Sequence, residues 1–319
     1  MSKSKIQNSK QRIFYLYFVL CALTFEFLCG CQNKQLYNER RIAMGTFVEV
    51  LSDRANAAGI VFKEIKRIEG LLSKYNPDSE VSLLNKAGML KASPETFTVI
   101  KKAKEFWQES EGAFDITVAA LMDLWGFTNR EYVVLNQEQI TESLKKVGSD
   151  KIALNETDNV IKFLDSGIKI DLGGIAKGFA VDCAVKKLKE AQVKSCLINA
   201  GGDVYCLGKK SGRAWRVAVQ NPRHPGVINQ FELNDQCAAT SGNYEQYFTL
   251  GGKEYAHIIN PKTGSPADSG LSSVTVIAPD CLTADALATT IFVLGKEKGE
   301  ALAEKYPGVH VEFIEDETR

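Results

Sequence analysis

The 319-residue chain holds three histidines. One of them, His257, opens a segment whose residue types could do chemistry: His257-Ile258-Ile259-Asn260-Pro261-Lys262-Thr263-Gly264. An imidazole titrates near neutrality and can take or return a proton. The Asn-Pro-Lys-Thr-Gly that follows is rich in turn formers and reads as a shaped loop. His224 and His310 have no comparable setting and read as structural. Asp285 and Thr289 in Thr283-Ala284-Asp285-Ala286-Leu287-Ala288-Thr289 are four apart, so a helix would stack them on one face. A carboxylate and a hydroxyl are hard oxygen donors, suited to magnesium rather than zinc or copper. Asp285 near a helix start also complements the helix dipole with no metal involved.

Two glycine-bearing segments and a polar one add to this set. In Ile170-Asp171-Leu172-Gly173-Gly174-Ile175-Ala176-Lys177-Gly178 an Asp closes an apolar strand, two glycines permit close approach, and Lys177 opens a helix. Helix N-termini attract phosphate, although this is neither a Walker loop nor GxGxxG. Asn199-Ala200-Gly201-Gly202-Asp203 reads as a second strand end, and Thr240-Ser241-Gly242-Asn243 as a small polar turn. Taken singly, each segment reads as a turn before it reads as a site. No GxSxG elbow, HExxH helix or EF-hand loop occurs, which argues against the corresponding hydrolases, metalloproteases and calcium sensors.

The elements that must position these residues follow from periodicity. Thr46–Leu51, Cys196–Asn199, Trp215–Gln220 and Ser273–Ala278 read as strands. Asn56–Tyr75 carries Val61, Ile65, Ile68 and Leu72 at helical spacing. Pro94–Glu111, capped by Ser93, buries Phe97, Ile100 and Trp107; Lys177–Gln192, Thr283–Leu294 and Lys296–Tyr306 complete the expected helices. Helices and strands interleave without regular βαβ units. The expected fold class is α+β with mixed sheets and packed helices, not a Rossmann fold.

The N-terminus reads as a targeting segment. Lys3, Lys5, Lys10 and Arg12 precede an apolar run, Ile13–Leu28, broken by Glu26. The run ends in Leu28-Cys29-Gly30-Cys31, which resembles a bacterial lipobox. Residues 1–30 are read as a lipoprotein signal peptide with Cys31 as the lipidation site, 31–41 as a tether, and 42–319 as one catalytic domain. An uncleaved membrane anchor ranks second, because the run falls short of the roughly 20 residues a spanning helix needs. The expected location is the bacterial cell envelope, on the extracytoplasmic side. The charge balance of 39 basic and 39 acidic residues leaves no footprint for nucleic acid. Cys183, Cys196, Cys206, Cys237 and Cys281 are odd in number and lack metal-ligand spacing, so free buried thiols are expected rather than a disulfide.

Together and in this order the segments resemble the ApbE family of FAD:protein FMN transferases. The resemblance runs from Met44-Gly45-Thr46 through Leu72-Ser73-Lys74-Tyr75-Asn76-Pro77, Ser79-Glu80-Val81-Ser82 and Asn85. It continues through Gly112-Ala113-Phe114-Asp115-Ile116-Thr117 and Leu124-Trp125-Gly126-Phe127 to the glycine, His257 and Asp285 segments. It implies an FAD site lined by Met44, Tyr75, Ala113, Phe114 and Asp115, with Asp171 and Lys177 on the adenosine and phosphate part. His257 and Ile258 would flank the pyrophosphate. Gly174, through its carbonyl, would join Asp285 and Thr289 as ligands of Mg2+.

The implied reaction moves FMN from FAD to a Thr or Ser hydroxyl of a target protein, a membrane redox subunit, and releases AMP. His257 is the candidate base, with Asp285 as the substitute. Two rivals share the residues: an FAD pyrophosphatase giving FMN and AMP, and a non-catalytic FAD-binding lipoprotein. Three positions depart from the usual pattern: Ala120 for proline, and Asn260 and Asn243 for aspartate.

Overall fold

A computed structural model describes residues 35–220 and 226–316. The expected signal peptide and Cys31 lie outside the described residues. Among the described residues no helix is long and apolar enough to cross a membrane.

A seven-stranded antiparallel sheet organises the chain, in the order β1-β2-β6-β7-β10-β13-β14. Its strands are β1 (Tyr37–Ala43), β2 (Thr46–Ser52), β6 (Ser195–Ala200), β7 (Asp203–Gly208), β10 (Gln236–Gly242), β13 (Leu271–Ala278) and β14 (His310–Glu315). The remaining strands make small sheets. They are β3 (Met89–Lys91), β4 (Ile152–Asn155) and β5 (Val160–Phe163), the ribbon β8 (Trp215–Gln220) and β9 (Val227–Leu233), and the hairpin β11 (Tyr247–Leu250) and β12 (Lys253–Ala256). The fold is α+β, as expected. Residues 37–41, expected within the tether, pair with β2 as part of an edge strand.

Eight helices are described: α1 (Ala57–Leu72), α2 (Glu80–Ala87), α3 (Pro94–Glu109), α4 (Ala119–Leu124), α5 (Gln137–Leu144), α6 (Ala176–Glu190), α7 (Cys281–Leu294) and α8 (Lys296–Ala303). The side-chain alternation of the sheet decides its two faces. Val48, Val50, Cys196, Ile198, Cys237, Ala239, Val274 and Val276 join the core built with α1, α6 and α7. Their neighbours Val204, Cys206, Ala238 and Ile277 pack on the other face against Trp215 and Leu233 of the β8–β9 ribbon. A separate small core gathers Leu121, Trp125, Phe127, Ile140, Phe248 and Ile259.

The helix caps follow local sequence. Ser93 accepts from the Thr96 N–H with Pro94 in the first turn, and Asp280 accepts from the Thr283 N–H to start α7. In α3 the core takes Phe106 in place of the expected Trp107, because Ile100, Ala103 and Phe106 keep the helical step.

Three expectations fail at this level. Ile170-Asp171-Leu172 is not a strand: in place of a neighbouring strand, the Asn85 side-chain amide bonds to the Ile170 N–H and carbonyl, at 2.7 and 2.9 Å. Thr240–Gly242 is the end of β10, not a turn, since Thr240 and Ser241 pair with Thr275 and Val274. Cys237 and Cys281 form a disulfide across 5.2 Å between Cα atoms, leaving Cys183, Cys196 and Cys206 free. The two cysteines are 44 residues apart and meet only because α7 folds back over β10.

Candidate functional site

One end of the main sheet collects the predicted residues. Two-residue hairpins turn there: Met44-Gly45 between β1 and β2, and Gly201-Gly202 between β6 and β7. All four residues have positive φ, the backbone such turns demand and that glycine adopts freely. Met44 adopts it without being glycine, and its N–H donates to Glu69 at 2.7 Å. Gly201 lies so close to Thr46 that a Cβ would fall 2.6 Å from the threonine hydroxyl. The two turns are therefore packed side by side.

Beside them, α6 and α7 meet. Gly178 is required at the crossing, because a Cβ would sit 2.2 Å from the Cys281 carbonyl. That approach lets the Gly178 N–H donate to Asp285 Oδ2 at 3.0 Å. Lys177 Nζ lies 3.3 Å from Asp285 Oδ1 and 3.1 Å from Asp203 Oδ2. The second contact is off the hydrogen-bonding direction, so that oxygen of Asp203 has a charge neighbour and no hydrogen bond. Both acids are almost sealed, at 3% and 2% exposed.

Burial by itself would lower the Lys177 ammonium. The two carboxylates overturn this and hold it well above its usual range. Asp203 is pushed well up by burial and by Asp285, and Lys177 offsets only part of the shift. Glu245 is within electrostatic reach of Lys177 and Asp285 and keeps part of its surface exposed. Burial pushes its carboxyl up to about 7, with Lys177 pulling down and Asp285 pushing up.

Thr289 Oγ1 is 3.3 Å from Ser241 Oγ on β10. A Cβ at Gly174 would come 3.1 Å from Thr289 Oγ1 and 3.3 Å from the Phe114 ring, so the missing side chain leaves a cradle between them. A carboxylate, a hydroxyl and a backbone carbonyl around such a cradle fit a hard divalent cation. Asp285, held by Lys177 and the Gly178 N–H, is the anionic donor that such a cation needs. Among the described residues no three His, Cys, Asp or Glu side chains form a metal-binding group. The expected set is consistent with that, since Asp285 is its single charged ligand.

The remaining predicted residues form a rim. Tyr75 is 68% exposed, on a loop fixed by Ser79 Oγ donating to the Ser73 carbonyl and Ser82 Oγ to that of Lys74. Lys74 reaches back to Asp171 at 2.7 Å, and Asp171 Oδ1 accepts the Gly173 N–H at 2.8 Å, shaping the turn into Gly174. His257 is half-buried and within electrostatic reach of Lys177 and Asp171. Burial holds its imidazole below the usual value. Its Nδ1 lies 3.1 Å from the Gln246 carbonyl, which can only accept, so Nδ1 carries the proton and Nε2 keeps a lone pair.

Other predicted residues are committed elsewhere. The Asp115 carboxylate accepts from the N–H and hydroxyl of both Thr117 and Ser149, tying together the 3₁₀ turns Ile116–Val118 and Ser149–Lys151. Burial still pushes its carboxyl up. Ala113 and Ile258 are buried. Asn260 Oδ1 accepts from the Lys262 N–H at 2.9 Å, so the side chain that departs from aspartate shapes its own turn.

Sequence reasoning missed Asp203, Ser241, Glu245 and Lys74 as members of this constellation. The first two sat inside segments already singled out, one residue past the glycines and one before Gly242. Nothing local marks Glu245. A groove of about 790 Å³ opens elsewhere, between α3, α6 and the start of α7, and none of the predicted site residues lines it.

Comparison with known proteins converges on one group. The ApbE family pattern matches residues 44–313. An FAD:protein FMN transferase of Haemophilus influenzae is 36% identical over 254 residues, 76% of this chain and 73% of that one. One from Treponema pallidum is 32% identical over 330 residues, 95% of this chain and 90% of that one. Among solved structures, the ApbE protein of Thermotoga maritima superimposes with a TM-score of 0.82 at 35% identity, covering 89% of this chain and 98% of that one. The flavin transferase ApbE of Vibrio cholerae does so with a TM-score of 0.79 at 29% identity, covering 89% and 94%.

Proposed function

This chain belongs to the ApbE family, and we propose that it works as a magnesium-dependent FAD:protein FMN transferase acting on a Thr or Ser hydroxyl and releasing AMP. The observation that carries the reading is the convergence of Lys177, Asp285, Thr289 and the Gly174 cradle at one end of the sheet. In the reaction the acceptor oxygen attacks the FMN phosphorus, the bond from that phosphorus to the AMP oxygen breaks, and the hydroxyl proton goes to a base. Held by Asp285, Thr289 and the Gly174 carbonyl, magnesium would supply neutralisation of pyrophosphate charge.

The chain's own residues supply the rest. Burial lowers the His257 imidazole and so favours its neutral form, in which Nε2 is the lone pair that can take the proton. Lys177 keeps its charge and holds Asp203 and Asp285 in place. Tyr75 and Met44 offer an exposed ring and an adaptable thioether at the rim, suited to flat aromatic rings. Asp171, held by Lys74, stands ready for the adenosine part.

The same reading places the enzyme outside the cytoplasm, lipid-anchored through Cys31, with a membrane redox subunit as client. The Cys237–Cys281 disulfide supports an oxidising compartment.

The test is mass spectrometry of a threonine-containing acceptor domain after incubation with residues 32–319, FAD and Mg2+. A gain of one FMN, lost with EDTA and in Asp285→Ala, is the expected result. Free FMN and AMP with no gain on the acceptor would turn the reading into a hydrolase. Bound FAD without turnover would leave a binding protein.

A further inference from the structure

We propose that the Cys237–Cys281 disulfide is a positioning bond for the magnesium-ligand face of α7, fixing the register of that helix on β10 so that its loss weakens Mg2+ binding. The inference rests on the metal reading above.

Strand β10 and helix α7 run side by side and are tied at two points. At one end Cys237 is bonded to Cys281, and at the other Ser241 Oγ meets Thr289 Oγ1 at 3.3 Å. Cys237, Ala239 and Ser241 share one face of the strand by alternation. Cys281, Asp285 and Thr289 share one face of the helix by their spacing of four. The two ties match in length: eight helical residues rise roughly 12 Å, and four strand residues roughly 13 Å. Only one register of α7 satisfies both, and it places Asp285 midway between them. A slip by one turn would carry Asp285 roughly 5 Å from the Gly174 cradle.

This helix end also packs on the core through Leu282 and Ala284 and against Gly178 of α6, and hydrogen bonds add to that packing. The Cys281 and Leu282 N–H groups donate to Asp182 at 2.8 Å each, and the Gly178 N–H donates to Asp285. Hydrogen bonds can lengthen as the helix shifts; the covalent tie holds one spacing. Ala239 stands between the ties and is too small to key the helix by packing.

The experiment compares oxidised wild type, the Cys237→Ala/Cys281→Ala double variant, and wild type treated with a water-soluble phosphine. In the last, the disulfide takes up two electrons and two protons to give two thiols, and the phosphine leaves as its oxide with oxygen from water. Alkylation and mass spectrometry count the thiols. Cys183→Ser as a common background removes the one free cysteine that, among the described residues, is only partly buried. Thermal unfolding is followed across a titration with Mg2+ alone, without FAD.

Both altered forms should melt lower without metal, as any lost cross-link would cause. The discriminating readout is the Mg2+ concentration giving half of the metal-induced rise in Tm, expected to increase about 10-fold, the usual penalty for disturbing the support of a metal ligand. A midpoint within twofold of wild type in both altered forms would overturn the inference and leave the bond a stability staple. If the double variant does not fold, the phosphine-treated wild type gives the same reading. Absence of any Mg2+ effect on oxidised wild type would overturn the metal reading, and this inference with it.

Discussion

Two regions at the same end of the sheet are built on opposite principles. The knot of Lys177, Asp203 and Asp285 is nearly sealed, and regular elements hold every member: the first turn of α6, the first residue of β7 and the second turn of α7. The rim is made of loops and turns, with Tyr75 exposed, Met44 at a hairpin tip and His257 on a segment leaning on the small aromatic core. Chemistry on a pyrophosphate needs charges whose geometry does not relax, and low dielectric strengthens them. A flat ring needs area and accessibility, and it tolerates looser placement. The same division assigns the costs: the knot should govern stability and turnover together, and the rim residues other than the candidate base His257 should govern affinity.

The largest effect should come from Lys177→Met. It leaves two buried carboxylates facing each other with no counter-charge, so the variant should lose about 3 kcal/mol in urea unfolding, the low end for breaking a buried pair because the ammonium keeps some solvent. Transfer activity should fall with it. A variant as stable as wild type would mean that the acids are not acting as one unit with Lys177.

Tyr75→Ala probes the opposite pole. Its ring is 68% exposed, so unfolding should move by no more than about 0.5 kcal/mol. The KM for FAD should rise roughly 5- to 10-fold if the ring stacks on the flavin or adenine, with kcat little changed. A loss in kcat equal to that in kcat/KM would dissolve the proposed division, because it would place the exposed ring, and not only the rim's candidate base His257, in the transition state.

The smallest effect is a pH slope beneath the knot. Asp182 on α6 caps the start of α7, and burial pushes its carboxyl up to about 7, more than the two backbone N–H groups pull it down. A carboxyl raised on folding contributes stability that is fully present below its unfolded pKa, near 4, and is lost as pH rises through 7. The difference in Tm between pH 5 and pH 8 should therefore shrink in Asp182→Asn relative to wild type. An unchanged difference would show that the helix-end amides keep Asp182 charged throughout, and that the clamp under the knot does not titrate in this range.

Legibility divided along the same line. The rim segments were readable because turn chemistry is local: Asn260-Pro261-Lys262-Thr263-Gly264 does form the shaped loop that its residue types predict, with Asn260 capping it. The knot was half readable. Asp285 and Thr289 at a spacing of four and Lys177 at a helix start were visible in one dimension. Asp203 was not, because its partner is 26 positions away along the chain and the pairing exists only where β7 begins beside α6. Nor did any local pattern show that the Asp115 carboxylate ties Thr117 to Ser149, 32 residues further along the chain.

By itself the sequence determined the α+β class, most of the helices and strands, and the residues from which a phosphate and metal site could be drawn, because these follow from periodicity, caps and side-chain chemistry within a few residues. Tertiary structure alone decided which of them face one another. It folded α7 back over β10 and joined Cys237 to Cys281, turned Thr240–Gly242 from an expected turn into a strand end, and set two acids against one lysine. Contacts of that kind depend on how helices cross and how strands pair over long separations. No local pattern of residues encodes them, because the burial that makes them strong arises only once the whole sheet and its helices have closed.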